Sequence, residues 1–392
     1  MWIERDFEDS LGAIAGEKPA LVLTGARQTG KTSLASRVFP DHTYVSLDVP
    51  AVAEAAEHSG EFFLQQHPAP LIIDEVQYAP GLLRYLKAAI DRDRERQGQY
   101  VISGSQHFPL MQGVSESLAG RCSVTRLHTL SALEIERFWG TPLEREALIR
   151  CMFLGGYPEL HARALDPERF YRDYLVTYLE RDVRSMLNVR NLRDFDRLIR
   201  LCAARTGQLL SFSSLAADVG ITPSTAKAWI SVLEASGVIA LLEPYHGNLG
   251  KRLIKTPKLY FLDTGLACHL TGMREPRDLE QSTLLGAMFE THVHGQLVRR
   301  HANQGRRAQL YFFRDHYGHE VDFVLPRGGR LELIECKWSE TPRPEHRGFD
   351  ELRRLAGDDN IISRTFVTPR RGQRSLGNGV FVGDGVEVGE KM

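Results

Sequence analysis

At 392 residues the chain exceeds what one hydrophobic core usually serves, so two or three domains are expected. With 42% hydrophobic and 25% charged residues and no apolar run long enough to span a bilayer, the composition excludes a membrane-embedded class and fits a soluble one. A net charge of −1 excludes a strong whole-molecule field, so any nucleic-acid partner must be held by local basic patches. The opening MWIERDFEDSL is acidic and amphipathic and lacks the basic-then-apolar plan of an export signal. Cys122, Cys151, Cys202, Cys268 and Cys336 stand singly, with no CxxC pair, which points to reduced thiols rather than disulfides or structural zinc. A cytoplasmic location and no membrane partner are expected.

Residues 20 to 105 alternate short apolar runs (ALVLTG, TYVSLD, LIIDEV, YVISGS) with polar or helix-patterned stretches, the rhythm of a parallel sheet wrapped by helices. Within them Gly25, Ala26, Arg27, Gln28, Thr29, Gly30, Lys31 and Thr32 fit GxxxxGK[ST], after a strand and at a helix start, with Ser33 following. The backbone N–H groups of such a loop converge on a phosphate, and the helix dipole favours the anion. Lys31 would then reach the β- and γ-phosphates of ATP and Thr32 would ligate Mg²⁺. LIIDEV ends in Asp74 and Glu75, the first suited to the magnesium ion and the second to orienting an attacking water. If YVISGSQ lies between the loop strand and the Asp74 strand, its end faces the γ-phosphate. Ser105 is then either a phosphate sensor or a polar strand cap. Arg121, in ESLAGR, is either a finger reaching a neighbouring subunit's nucleotide or a surface arginine.

From about 130 to 200 the pattern turns helical, with FYRDYLVTYLERDVRSML following a turn at Gly155, Gly156 and Pro158. Residues 206 to 262 form a smaller unit. One helix from Phe212 to Val219 and a second, opened by Pro223 after the Thr222 cap and running to about Ala235, would share a core through Leu215, Val219, Ala226, Ile230 and Leu233. Ser224, Thr225, Lys227 and Ser231 would face outward. A strand (VIALLEPY), a turn at Gly247-Asn248 and KRLIKTPKLYFLD would add a wing bearing Lys251, Arg252, Lys255 and Lys258. The unit looks like a winged helix, an element that grips duplex DNA or serves as a packing module. TGMREPRDLEQS, 271 to 282, reads as a polar linker or loop.

The remaining order is helix first, then sheet. Glu290 lies in the helix-like LLGAMFETHVHGQLVRR, Asp322 in HEVDFVLP, and Glu335-Cys336-Lys337 ends LELIECK. Alternate strand residues share a face, so Glu335 and Lys337 point together, and Asp322 suits the adjacent strand of one hairpin. Asp322 and Glu335 would bind Mg²⁺ or Mn²⁺, with Lys337 positioning or deprotonating the nucleophile. The alternative is an ion pair at a sheet edge. The arrangement resembles the PD-(D/E)xK nuclease fold, which implies Glu290 as the helix acid and a further metal ligand, Asp322 as the first strand acid, and Glu335 with the catalytic Lys337 as the paired motif, although His319-Glu320-Val321 stands where that family name has proline. Arg299, Arg300, Arg306 and Arg307 form a basic stretch suited to a phosphate backbone or to a solvated helix face. His292 and His294 sit two apart on the same helix and face apart, which argues against a shared zinc. The glycine-rich end, from Arg370, is expected to carry one short edge strand and a loose tail.

The P-loop, LIIDEVQ, SGSQ and SLAGR, followed by LGGYPE and YLVTYLERDV, resemble bacterial and archaeal ATPases of the AAA+ class whose C-terminal half is a domain of unknown function, DUF4143. The resemblance covers essentially the whole chain. It implies ATP hydrolysis, Asp74 and Glu75 as the Walker B pair, Ser105 as a sensor candidate and Arg121 as a candidate finger should the chain form a homo-oligomer. No arginine stands out as a second sensor. The expected fold class is α/β multidomain: a P-loop AAA+ domain with a parallel sheet over 1–130, a helical lid or connector over 131–200, a winged helix over 201–270 and a restriction-endonuclease-like domain over 271–392. The expected function is a Mg²⁺-dependent ATPase that couples nucleotide state to binding or processing of duplex or branched DNA. The alternative is a nucleotide-controlled switch whose nuclease-like domain binds without cutting.

Overall fold

The structure, a computed structural model, describes residues 2–104, 113, 114, 116–178, 192–246 and 254–388. Ser105, the turn at Gly247-Asn248, Lys251 and Arg252 lie outside the described residues. Among the described residues, strands β1 (Ala20–Thr24), β2 (Thr43–Ser46), β3 (Leu71–Asp74), β4 (Tyr100–Ser103) and β5 (Cys122–Arg126) form one parallel sheet in the order β2-β3-β4-β1-β5. The apolar runs of β1, β3 and β4 are buried throughout, as strands covered on both faces require. One face packs against the helices Glu8–Ala15 and Lys31–Val38 through Phe7, Leu11 and Leu34, and the other against Leu82–Arg92 through Leu82, Leu86 and Ile90. The chain runs from β1 out to β2 on one side and ends at β5 on the other, which opens a crevice beyond the carboxyl ends of β1, β3 and β4. This is the sheet of a P-loop NTPase, and β4 does lie between the loop strand and the Asp74 strand.

The helices Ala132–Trp139, Arg145–Leu154, Pro158–Ala162, Pro167–Tyr178 and Leu192–Ala204 follow. The first is started by a reciprocal cap between Ser131 and Glu134. Strand β6 (Gln208–Leu209), the helices Phe212–Val219 and Pro223–Ala235, and strands β7 (Ile239–Leu242) and β8 (Lys258–Phe261) come next, with β8 central in an antiparallel sheet. Thr222 caps the second helix and Pro223 opens it, while Leu215, Val219, Ala226, Ile230 and Leu233 are buried. Ser224, Lys227 and Lys255 are exposed, and Thr225 and Ser231 are half-buried. The stretch read as a linker contains a helix, Pro276–Gln281, because Pro276 fits a first helical turn and Glu275 and Asp278 cap each other's backbone.

The helix Leu285–Asn303 leads into a six-stranded mixed sheet of β9 (Tyr311–Arg314), β10 (Glu320–Arg327), β11 (Arg330–Cys336), β12 (Ile361–Thr368), β13 (Arg374–Gly377) and β14 (Val380–Asp384), ordered β13-β14-β12-β11-β10-β9. The glycine-rich end therefore supplies two strands instead of one, and β14 is interior, parallel to β12. The helix Arg347–Ala356 covers one face of this sheet through Phe349 and Leu352. One apolar core runs from Leu130 through Phe195, Tyr260 and Met288 to Val388, so the middle and C-terminal parts share buried surface. No described helix is long and apolar enough to cross a membrane.

Candidate functional site

The loop after β1 is shaped by backbone constraint before any side chain acts. Gly25 holds φ at 150°, and a Cβ there would lie 2.3 Å from the Leu127 carbonyl oxygen, so no other residue fits without displacing the chain that leaves β5. Gly30 turns the chain with φ 91° directly before the helix that starts at Lys31. Thr29 Oγ1 donates to Ala26 O (3.0 Å), closing the loop on itself. The buried Lys31 ammonium donates to Gly25 O (3.0 Å) and Ala26 O (2.9 Å) and so sits over the concavity where phosphate oxygens would lie. Gln28 and Ser33 are exposed and Arg27 is half-buried.

Thr32 and Asp74 meet across the crevice, Oγ1 donating to Oδ2 at 2.7 Å. Asp74 also accepts from Tyr44 OH (2.9 Å), from the Glu75 N–H (3.1 Å) and from Ser103 Oγ. The carboxylate, at the end of β3, is thus held by hydroxyls from β2, from β4 and from the helix Lys31–Val38. Burial, and then the Asp74 hydrogen bond and charge, push the Tyr44 phenol up to about 12, so it remains a donor at neutral pH. A hydroxyl and a carboxylate held together beside the loop are donor types that Mg²⁺ takes. Glu75 follows in the left-handed region (φ 56°) and accepts from Gln77 Nε2. Sequence reasoning missed Tyr44 and Ser103, although a serine closing the apolar run YVIS is a buried hydroxyl in need of a partner. Arg121 pairs in two-pronged fashion with Asp91 (2.7 and 2.8 Å) on the helix Leu82–Arg92.

The loop is tied to the rest of the chain by buried charge. Arg5 donates to Thr29 O (3.1 Å), to His128 O (2.8 Å) and to Glu134 Oε1 (3.1 Å). At Ser131 the cap with Glu134 begins, and the next N–H, of Ala132, donates to Gln296 Oε1 (2.8 Å) on the helix Leu285–Asn303. Arg299, one turn further along that helix, is buried. It donates to Thr129 O (3.0 Å), to Thr129 Oγ1 and to Leu262 O (2.7 Å), and lies 4.0 Å from Asp263. The basic stretch is therefore split: Arg299 is an internal strut and no phosphate contact, whereas Arg306 and Arg307 are exposed.

The C-terminal acids converge, but on an unexpected partner. Asp322 and Glu335 face each other across the β10–β11 hairpin, the Asp322 N–H donating to Glu335 Oε2 (3.3 Å). Lys337 Nζ (2.7 Å) and His346 Nε2 (3.2 Å) both lie against Glu335 Oε1. Glu290, from the helix, instead meets Lys258 Nζ (2.9 Å) and the Tyr260 hydroxyl. Lys258 also contacts Glu320 and approaches Asp322 (3.7 Å). It is 2% exposed, which corrects its expected place on a DNA-facing wing. Burial disfavours its charge, yet Glu290, Asp322 and Glu320 outweigh this and hold the ammonium above its ordinary value. Among the described residues no group of three or more His, Cys, Asp or Glu side chains is arranged to hold a metal ion. Lys258 thus stands among Glu290, Glu320 and Asp322, where the expected Mg²⁺ or Mn²⁺ would need free oxygens.

His292 and His294 point apart, the first to Gly385 O (3.0 Å) and the second stacked on Tyr260 at 4.4 Å between centroids. Burial and the nearby Arg299 push His292 down to about 4 and His294 down to about 3, from an ordinary 6.5. Unfolded, both rings take up protons near the ordinary value, so stability is complete above it and lost as pH falls toward the folded values. The melting temperature is expected to drop between about pH 6.5 and 4, and His294→Phe to flatten that slope. Equal slopes for both proteins in thermal melts would contradict it.

Residues 17–136 match the AAA domain family, 145–277 a domain of unknown function (DUF8612) and 285–383 a domain of unknown function (DUF4143). Two relatives, the uncharacterized proteins Rv2008c of Mycobacterium tuberculosis (strain ATCC 25618 / H37Rv) and Mb2031c of Mycobacterium bovis (strain ATCC BAA-935 / AF2122/97), are each 31% identical over 347 residues, 87% of this chain and 76% of theirs. The Walker-type ATPase PABY2304 of Pyrococcus abyssi is similar in structure with a TM-score of 0.46 and 16% identity, over 69% of this chain and 96% of that one.

Proposed function

The chain belongs to the AAA-domain family whose members carry a C-terminal DUF4143 region, and from that premise we propose that it binds and hydrolyses ATP with Mg²⁺ and couples nucleotide state to DNA. The observation that carries the nucleotide part of this reading is the 2.7 Å contact between Thr32 and Asp74 beside the glycine-bounded loop. Bound Mg²⁺ would neutralise phosphate charge. Lys31 would hold the β- and γ-phosphates in place of its loop carbonyls, Thr32 and Asp74 would hold the ion, and Glu75 would orient water for attack. Ser105 is proposed as sensor, and Arg121 as finger once a neighbouring subunit draws it from Asp91. The five free thiols support a reducing compartment, the cytoplasm.

The helix Pro223–Ala235 with β7 and β8 is read as a winged helix, its exposed Ser224 and Lys227 toward duplex or branched DNA. A second reading is favoured by Lys258: the nuclease-like C-terminal part binds without cutting, and ATP switches domain packing. An ATPase titration with single-stranded, duplex and four-way DNA in Mg²⁺ or Mn²⁺, scored also for nicks, separates them. DNA stimulation of several-fold without nicks is expected. Turnover unmoved by every DNA removes the coupling, and nicking removes the second reading.

A further inference from the structure

We propose that Lys258 is the resident cation of the C-terminal carboxylate centre, which is a metal-independent ionic socket holding β8 to the helix Leu285–Asn303 and to β10. This deepens the second reading above and is independent of ATP hydrolysis.

Lys258 and Tyr260 are two apart on the central strand of their sheet, so they share a face, and both donate to the same oxygen, Glu290 Oε1. The ammonium lies 5.6 Å from the centroid of the Phe312 ring, a further favourable surface for a cation. Other oxygens of the centre have donors of their own. Glu320 Oε2 meets Arg314 (3.0 Å), Asp322 Oδ2 accepts from the Cys336 N–H (2.8 Å), and Glu335 takes Lys337 and His346. A hard dication needs several free oxygens at about 2.0–2.6 Å. Here it would meet an ammonium already among them. Expelling that ammonium means moving a buried side chain out of a central strand.

The test uses the full chain carrying Thr32→Ala, so that the P-loop contributes no metal site, and titrates Mn²⁺ alone by electron paramagnetic resonance. With Lys258 present, adding Asp322→Asn is expected to change nothing. Lys258→Met is expected to gain at least about tenfold in Mn²⁺ affinity, and Asp322→Asn to abolish that gain. Mn²⁺ bound with Lys258 present and lost in Asp322→Asn would overturn the proposal, as would no gain in Lys258→Met. If Lys258→Met does not fold, the melting temperature of Glu290→Gln, which removes the carboxylate 2.9 Å from the ammonium, decides. Removing a partner of a buried cation lowers it, whereas relieving repulsion among carboxylates of a metal site raises it.

Discussion

Lys31→Ala lowers ATP turnover at least about 100-fold, because it removes the ammonium that the loop aims at the transferring phosphate. Glu75→Gln has a comparable effect for another reason. The amide cannot accept a proton from water, but the loop, Thr32 and Asp74 are untouched, so nucleotide binding persists. Steady-state hydrolysis and equilibrium binding, measured on both variants, separate the roles: Lys31→Ala weakens both, Glu75→Gln only the first. Wild-type rates in either variant would remove the assignment.

Arg299→Met is expected to destabilise the fold by about 3–5 kcal/mol, because it leaves the Thr129 and Leu262 carbonyls without their buried donor and Asp263 without its nearby cation. For a chain of 392 residues that is a drop of about 4–6 °C in melting temperature. Arg299→Lys recovers only part, since an ammonium cannot reproduce the guanidinium fork. A drop of less than about 2 °C would return Arg299 to the surface role that its neighbours suggest. Arg299 and Glu290 lie on one helix, and Leu262 follows β8 and its Lys258. The same strut therefore joins the P-loop side of the molecule to the carboxylate centre.

Strands β1 to β4 were legible because each is a short apolar run closed by glycine or a carboxylate, and the P-loop because its spacing is set by backbone geometry. Strand β5 was not: CSVTR is a half-exposed edge strand, whose alternation is too weak to separate from a loop. The paired helices Phe212–Val219 and Pro223–Ala235 were legible from a cap, a proline and helical spacing. Lys258 misled because KTPKLYF has the composition of a basic wing, and composition does not say which way a side chain points. Its alternation with Tyr260 was the available signal. Arg299 misled in the same way beside Arg300, although it falls on the helix face of His292 and Gln296, which are also buried.

The most direct measurement is an equilibrium titration of the nucleotide-free chain with ATP in the presence of Mg²⁺. The account predicts a saturable isotherm of one nucleotide per chain, weakened at least about tenfold by Lys31→Ala. A flat isotherm for the unaltered chain, or identical isotherms for both proteins, would contradict it.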